Sequence, residues 1–112
     1  MNDNIQELLI IEITQNINSE WDKLTINIEF DYIDGELVSS DNSEIWFNGE
    51  VEEFDLTYET SEYFEQLREI MVKNVLEHRY WTICDLEILS DGTFKYKFSY
   101  DQPSRLSALK NS

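Results

Sequence analysis

The stretch ILSDGTFKYKFSYD, Ile88 to Asp101, decides how the C-terminal part of this chain folds. Large apolar residues alternate with lysines and a serine after a Ser-Asp-Gly turn signal, a pattern typical of a β-hairpin. A two-residue turn at Asp91-Gly92 would set Tyr96 opposite Glu87 and bury a carboxylate. A loop of three residues, Ser90 to Gly92, avoids that burial, and its glycine supplies the left-handed conformation that such a loop needs. The three-residue loop predicts the apolar pairs Phe94–Ile88, Tyr96–Leu86 and Phe98–Cys84.

The same register accounts for two lysines in a strongly acidic chain. It places Lys95 opposite Glu87 and Lys97 opposite Asp85 on the solvent side of the hairpin. A cross-strand pair of opposite charges contributes only about 0.2 to 1 kcal/mol, but both pairs favour one register. We therefore interpret these lysines as structural rather than as a binding site.

Two further segments have a clear period. From Leu24 to Tyr32, apolar residues alternate with polar ones, which predicts a strand with one buried face. Near the N-terminus, Asp3 can cap an amphipathic helix of about four turns. The apolar positions of this helix are Ile5, Leu8, Leu9, Ile13 and Ile17, with Ile10 and Ile11 widening the stripe.

Residues 34–56 contain turn signals but no fixed register. Asp34-Gly35 and Asn48-Gly49 both predict hairpins, with a second strand at Glu36–Ser40 and a third pair of strands between Glu44 and Leu56. A two-residue turn at Asn48-Gly49 would set Trp46 opposite Val51. The segment Ser39–Ser43 fits loops of several lengths, so strand order and register over residues 36–56 stay open.

A second amphipathic helix follows this middle region. Thr60 or Ser61 is expected to cap it, and His78 and Arg79 in its last turn suit the negative end of the helix dipole. Its apolar side would carry Tyr63, Phe64, Leu67, Ile70, Met71, Asn74 and Val75.

The order of these elements predicts an α+β fold. We expect the order α-β-β-β-α-β-β, with an antiparallel sheet of four to five strands in hairpins and two helices packed on one face. Residues 1–103 are predicted to form a single domain, because 112 residues leave too little interior for two cores. After Pro103 the sequence loses its periodicity, so residues 104–112 are predicted to form a flexible C-terminal tail.

Net charge is the outlying property of the composition. At −16, it exceeds the magnitude of about 2 to 8 that suits a small soluble domain. The 44 residues from Leu24 to Leu67 hold thirteen carboxylates and no lysine or arginine. That segment is either a solvated acidic surface or a surface suited to a strongly cationic partner. Both interpretations disfavour binding to nucleic acid or to an anionic membrane.

Signals of catalysis are nearly absent. The three glycines all lie in turn dipeptides, which leaves no phosphate-binding loop. One histidine and one cysteine are too few for a metal site of nitrogen and sulfur ligands, and Cys84 alternates into the apolar face as a small core residue. We therefore expect a protein that is not an enzyme and that uses no cofactor or metal. Because no cationic, apolar leader opens the sequence, we expect a cytoplasmic location.

The acidic middle of the chain interleaves carboxylates with large aromatic residues. Tryptophan and tyrosine are common anchors at interfaces, and surrounding carboxylates accelerate encounter with a basic protein. Phe47 and Phe54 are assigned to the core, whereas Trp46, at the opposite strand parity from Phe47, is expected at the surface. The predicted partner-binding residues are Asp34, Glu36, Glu44, Trp46, Glu50, Glu52, Glu53 and Asp55.

Two segments carry a further pattern: INSEWDKLTINIEF, residues 17–30, and YWTICDLEILSDGTFKYKFSYD, residues 80–101. In the first, an acidic-Trp turn joins a helix to a strand. In the second, a Trp-Thr strand leads through Asp-Gly to a strand ending in Tyr-Asp. This combination resembles the YezG-like family of bacterial antitoxins and immunity proteins. The residues that carry the resemblance are Glu20-Trp21, Trp81-Thr82, Asp91-Gly92, Phe94 and Tyr100-Asp101.

The resemblance implies a cytoplasmic immunity protein that neutralises a cognate toxin domain, often a nuclease delivered to neighbouring bacteria. The charge favours the same hypothesis independently, because a nuclease must attract phosphates and is usually basic. An alternative is an acidic nucleic-acid mimic that inhibits a DNA- or RNA-binding protein, and a third is an adaptor whose charge is incidental. Immunity predicts one cognate cationic partner, whereas mimicry predicts competition with many basic proteins.

Overall fold

The computed structural model describes residues 5–73 and 79–110 of the chain. Within these ranges the fold is α+β, and five strands form one antiparallel sheet, as predicted. None of the helices in these ranges is long and apolar enough to cross a membrane. The elements in chain order are α1 (Ile5–Gln15), β1 (Lys23–Ile33), β2 (Glu36–Phe47), β3 (Glu50–Phe54), α2 (Tyr58–Val72), β4 (Ile83–Leu89), β5 (Phe94–Ser99) and α3 (Ser104–Lys110).

The chain divides into two compact units, each built from separate segments of sequence. The helical unit comprises Met1–Glu20 and Leu56–Tyr80. The sheet unit comprises Trp21–Asp55 and Trp81–Ser112. All residues predicted to bind a partner belong to the sheet unit.

In the helical unit, α1 and α2 pack against each other. α1 buries Ile5, Leu9 and Ile13, which recur about once per helical turn. Leu8 and Ile11 remain 47% and 57% exposed, so the buried stripe is narrower than the sequence predicted.

The boundaries of α2 differ from the prediction at both ends. Thr57 is the cap, because its side-chain oxygen accepts a hydrogen bond from the Thr60 N–H at 3.1 Å. Thr60 itself is buried within the first turn, so capping by Thr60 or Ser61 was wrong. α2 ends at Val72, and Arg79 lies in irregular chain beyond it. Four residues of the sequence prediction lie outside the described ranges: Asp3, Asn74, Val75 and His78.

In the sheet unit, β1 is the central strand of a sheet with the order β3-β2-β1-β4-β5. One face of β1 carries four side chains that are at most 2% exposed: Leu24, Ile26, Ile28 and Phe30. We call this side of the sheet the apolar face. Full burial of each such side chain stabilises the fold by about 1.5 to 3 kcal/mol. The opposite side, which carries Thr25 and Asn27 of β1, is the polar face.

The closing hairpin, β4 and β5, has the predicted register. Tyr96 pairs with Leu86, and the other two apolar pairs and both lysine–carboxylate pairs also form. Gly92 closes the three-residue loop with a φ of 95°. On the apolar face Tyr96 stacks on Phe98 at 5.7 Å between ring centroids, and Phe98 contacts the buried Trp81 at 5.4 Å.

β2 is one continuous strand, so the loop expected within Ser39–Ser43 does not exist. It pairs with β1 from Glu36 to Trp46. The two hairpin turns have positive φ at both central residues, 53° and 83° at Asp34-Gly35 and 53° and 82° at Asn48-Gly49. This is the type I′ pattern that the two dipeptides predict. The second turn sets Trp46 opposite Val51, as predicted.

Residues 104–110 form α3, so the flexible tail predicted from residue 104 was wrong for this stretch. Glu29 on the polar face is only 2% exposed and accepts hydrogen bonds from the N–H groups of Arg105 at 3.0 Å and Leu106 at 3.2 Å. Its carboxylate thereby caps the positive end of the helix. The Arg105 guanidinium also donates to the Ser40 carbonyl at 2.9 Å. The sequence pattern missed this helix because its anchor lies 76 residues away.

Candidate functional site

The eight predicted binding residues lie on or beside the β2–β3 hairpin. Residues 34–55 contain no lysine or arginine, and we call this segment the acidic hairpin. Its carboxylates are exposed except that of Glu44, which is half-buried. Glu36, Glu44 and Trp46 belong to β2, Glu50, Glu52 and Glu53 to β3, Asp34 to the turn before β2, and Asp55 to the chain after β3.

The structure divides these residues between the two sides of the sheet. The register sets Glu44 opposite Glu53 on the polar face, beside Trp46. Glu50 and Glu52 point to the other side, because successive residues of a strand alternate. The acidic hairpin therefore presents carboxylates to both sides rather than as one patch.

Glu44 and Glu53 form a pair of like charges. They lie directly opposite each other in neighbouring antiparallel strands, where Cβ atoms are about 4.5 to 5.5 Å apart. Like charges in such positions destabilise a sheet. The fold by itself gives no reason for this pair, since a single neutral side chain at either position would relieve it.

Across the polar face, the charge changes from acidic to balanced. The cross-strand row through the acidic pair reads Glu53, Glu44, Thr25, Glu87 and Lys95. Lys95 lies opposite Glu87 in the neighbouring strand, but its backbone is four strand spacings, about 19 Å, from that of Glu53. At physiological ionic strength, exposed charges that far apart are largely screened from each other, because the Debye length is about 8 Å.

A groove of about 370 Å³ lies on the polar face within this gradient. Glu44 lines one side of it, and Lys95 and Lys97 line the other. Its floor includes Asn27, whose side-chain amide donates to an Asp85 carboxylate oxygen at 2.7 Å. Because both signs of charge line the groove, the groove by itself does not favour a ligand of either charge.

The aromatic residues of the acidic hairpin are placed differently from the prediction. Phe47 is 42% exposed next to the turn, so its assignment to the core was wrong. Trp46 is half-buried: its indole N–H donates to the Thr25 hydroxyl at 3.3 Å, and the Lys23 ammonium lies 4.6 Å from its ring centroid. Phe47 is thus the more accessible aromatic anchor, and its position beside Asn48-Gly49 was the sequence signal for that exposure.

The cations closest to the acidic hairpin pair with carboxylates elsewhere. The Lys23 ammonium is 3.9 Å from Glu87, and the Arg105 guanidinium is 3.5 Å from Glu29. Their contacts with the hairpin are to uncharged groups, the Trp46 ring and the Ser40 hydroxyl and carbonyl. These two ion pairs are thus with Glu87 and Glu29, neither of which belongs to the acidic hairpin.

Cys84 is a poor nucleophile. Its burial, and secondarily the charge of Asp85, raises the pKa of the thiol well above its ordinary value. The thiol stays protonated at neutral pH, whereas nucleophilic attack requires the thiolate. Over residues 5–73 and 79–110, no three His, Cys, Asp or Glu side chains are grouped as ligands of a metal ion.

Comparison with known protein families finds no match for this chain, and no curated protein is recognisably similar to it in sequence. Function must therefore be inferred from the charge, exposure and register of the site's own residues.

Proposed function

We propose that this protein is an immunity protein that acts in the cytoplasm by binding a cognate, cationic toxin domain of the nuclease class. The observation that carries the proposal is the acidic hairpin, which holds eight carboxylates and no base. Within it, Glu44 and Glu53 oppose each other across two strands. A cationic partner supplies the counter-charge that the protein itself does not.

The energetic balance favours a binding role for these charges. In the isolated protein, self-repulsion among the carboxylates opposes folding. In a complex, the same carboxylates steer a basic partner into contact and accelerate association. Phe47, exposed at the tip of the hairpin, adds an apolar anchor of the kind that contributes strongly to protein interfaces.

The choice of a nuclease follows from the charge that its substrate demands. An active site that attracts phosphates is basic, so a concentrated acidic surface complements it. The resemblance of residues 17–30 and 80–101 to the YezG-like immunity family supports the same partner class. Mimicry of nucleic acid is less well supported, because the carboxylates of Glu50 and Glu52 point away from those of Glu44 and Glu53 and do not form a single phosphate-like row.

Charge reversal tests this proposal directly. The test first identifies a toxin domain in the reading frame next to this chain's gene. It then measures the binding of that domain and the survival of cells that express it. Replacing Glu50, Glu52 and Glu53 by lysine is expected to weaken binding by at least about tenfold and to abolish protection. The matched control reverses three exposed carboxylates outside the hairpin, Glu7, Glu62 and Glu65, and is expected to retain protection.

The salt dependence of association provides a second test. Raising the salt concentration is expected to slow association steeply while changing dissociation little, because screening acts on the long-range encounter. An association rate that is indifferent to salt, or equal loss of binding in the control triple variant, would contradict the role of the acidic hairpin. Equal binding to several unrelated basic nucleases would favour the nucleic-acid mimic instead.

A further inference from the structure

β2 is longer than the strand that pairs with its outer side. It runs from Glu36 to Phe47, but β3 covers only the segment from Ser43 to Phe47. No strand in the described part of the chain pairs with the outer side of residues 36–42. We call this seven-residue segment, Glu36–Asn42, the open edge.

The two hairpin turns determine which backbone groups point outward there. A two-residue turn closes on a hydrogen-bonded pair, here Ile33 with Glu36 at one end of β2 and Phe47 with Glu50 at the other. Backbone groups of successive residues alternate between the two neighbours of a strand. The backbone N–H and C=O groups of even-numbered β2 residues thus point toward β1, and those of odd-numbered residues point outward. The open edge therefore presents three backbone N–H and three backbone C=O groups, those of Leu37, Ser39 and Asp41.

The middle of the open edge, Leu37–Ser40, is less protected by charge than the other edges are. Natural sheets protect their edges with charged side chains, short strands or covering segments. β5 carries Lys95 and Lys97, and β3 has five residues, three of them glutamates. The four residues Leu37–Ser40 carry no charge, and none of them is fully buried. A row of unpaired donors and acceptors flanked by such side chains is a template for another strand.

We propose that the open edge accepts an extended, lysine- or arginine-bearing segment of the partner as an added strand in line with β3. This inference rests on the proposed function and specifies how that partner is held. Main-chain hydrogen bonds to Leu37, Ser39 and Asp41 fix the register of the added strand. The carboxylates of the acidic hairpin favour lysine and arginine side chains on the added strand.

Charge favours a basic segment over a second copy of this chain. The open edge begins at Glu36 next to Asp34 and contains Asp41, with no base between them. Edge-to-edge pairing of two copies would bring these carboxylates toward their equivalents, and each copy carries a net charge of −16. Lysine or arginine side chains flanking an added strand would instead lie among opposite charges, which is the favourable arrangement for cross-strand neighbours.

Amide hydrogen exchange on the full chain tests this assignment. The probe is a capped peptide of about eight residues that alternates lysine with valine, long enough to span the open edge. When the peptide nearly saturates the protein, amide hydrogen exchange at Leu37, Ser39 and Asp41 is expected to slow by up to about 100-fold. Amide exchange at Val51 and Glu53, on the outer side of β3, is expected to stay unchanged. An analogue that is N-methylated at every residue keeps every charge but has no backbone N–H to donate, and it is expected to give no protection.

A pair of proline variants supplies the matched control. Ser39→Pro removes an outward N–H of the open edge, and Val51→Pro removes an outward N–H of β3, so neither removes a hydrogen bond between strands. Ser39→Pro is expected to weaken binding of the peptide and of the neighbouring-gene toxin domain by about tenfold or more, while Val51→Pro leaves both unchanged. Circular dichroism and urea unfolding verify that both variants stay folded.

Several outcomes would overturn the assignment. These are equal binding of the N-methylated analogue, protection at Val51 and Glu53 in place of the open edge, or a dimer of the free protein that protects the open edge. If the toxin domain binds Ser39→Pro as tightly as wild type but does not bind the Glu50, Glu52 and Glu53 reversal, strand addition fails and the immunity function stands. If wild type binds no toxin domain, both fail.

Discussion

The acidic hairpin and the closing hairpin flank the same central strand, and they differ in how their charges are paired. Leu24 of β1 has Ile45 of β2 on one side and Ile88 of β4 on the other. In the closing hairpin, each carboxylate of β4 on the polar face faces a lysine of β5. In the acidic hairpin, Glu44 faces Glu53. The closing hairpin thus sets opposite charges across its strands, whereas the acidic hairpin sets like charges across its strands.

The closing hairpin also buries its apolar side chains more completely than the acidic hairpin does. Ile88 is 1% exposed, while Ile45 is half-buried and four of the five β3 residues are exposed. Apolar burial is the main source of stability in a small domain. The closing hairpin thus contributes more apolar burial to the fold than the acidic hairpin does.

The largest expected effect compares two isoleucines at equivalent positions beside Leu24. Ile88→Ala removes a fully buried side chain and is expected to lower the free energy of unfolding by about 2 to 5 kcal/mol. Ile45→Ala should cost clearly less, because that side chain is only half-buried. Urea unfolding monitored by circular dichroism measures both, and equal losses would contradict the proposed division between the hairpins.

A second comparison concerns the anchoring of α3, whose main contacts are with β1 and β2. Glu29→Gln removes the charge that caps α3 and pairs with Arg105, and it should cost about 1.5 to 3 kcal/mol. Glu36→Gln, an exposed change in the adjacent strand, is the control and should have almost no effect. Faster amide exchange within Ser104–Lys110 in Glu29→Gln alone would link the loss to this helix.

Charge swaps should have opposite signs in the two hairpins. Lys97→Glu creates a like-charge pair with Asp85 and should destabilise the protein by about 0.2 to 1 kcal/mol, whereas Glu53→Lys relieves the repulsion with Glu44 and should stabilise it by a similar amount. Both differences should shrink in high salt because these side chains are exposed or half-buried. A loss of stability in Glu53→Lys would show that the acidic pair does not strain the fold.

The smallest effect concerns the loop of the closing hairpin and its dependence on pH. The Asp91 carboxylate accepts hydrogen bonds from the Thr93 N–H at 2.9 Å and the Thr93 hydroxyl at 2.7 Å, which hold its pKa below the ordinary 3.8. Because the pKa of Asp91 is lower in the folded protein than in the unfolded chain, its ionised carboxylate stabilises the fold at pH values above 3.8. This contribution is lost as the pH falls through the pKa of the folded protein. Asp91→Ala should therefore lower stability at neutral pH, with the difference from wild type vanishing in acid. A constant difference across that range would contradict the assignment.

Local sequence patterns predicted the closing hairpin well and the acidic hairpin poorly. In the closing hairpin, turn chemistry, apolar alternation and lysine–carboxylate pairing all select one register. Over Ser39–Ser43 no apolar alternation constrains the strand, so its continuity depends on pairing with β1. Phe47 was misassigned for a related reason, because strand parity identifies the side of a sheet but not whether anything covers that side.

The α+β class, the order of elements through β5, both type I′ turns and the concentration of charge in residues 34–55 can all be predicted from the sequence, because they depend on neighbours close in the chain. Four features become visible only in the folded chain: the capping of α3 by Glu29, the division of the glutamates between two faces, the opposition of Glu44 and Glu53, and the open edge of β2. Each of these depends on which segments become neighbours in space. Contacts between distant segments follow from the packing of the whole sheet, and no local period of the sequence encodes them.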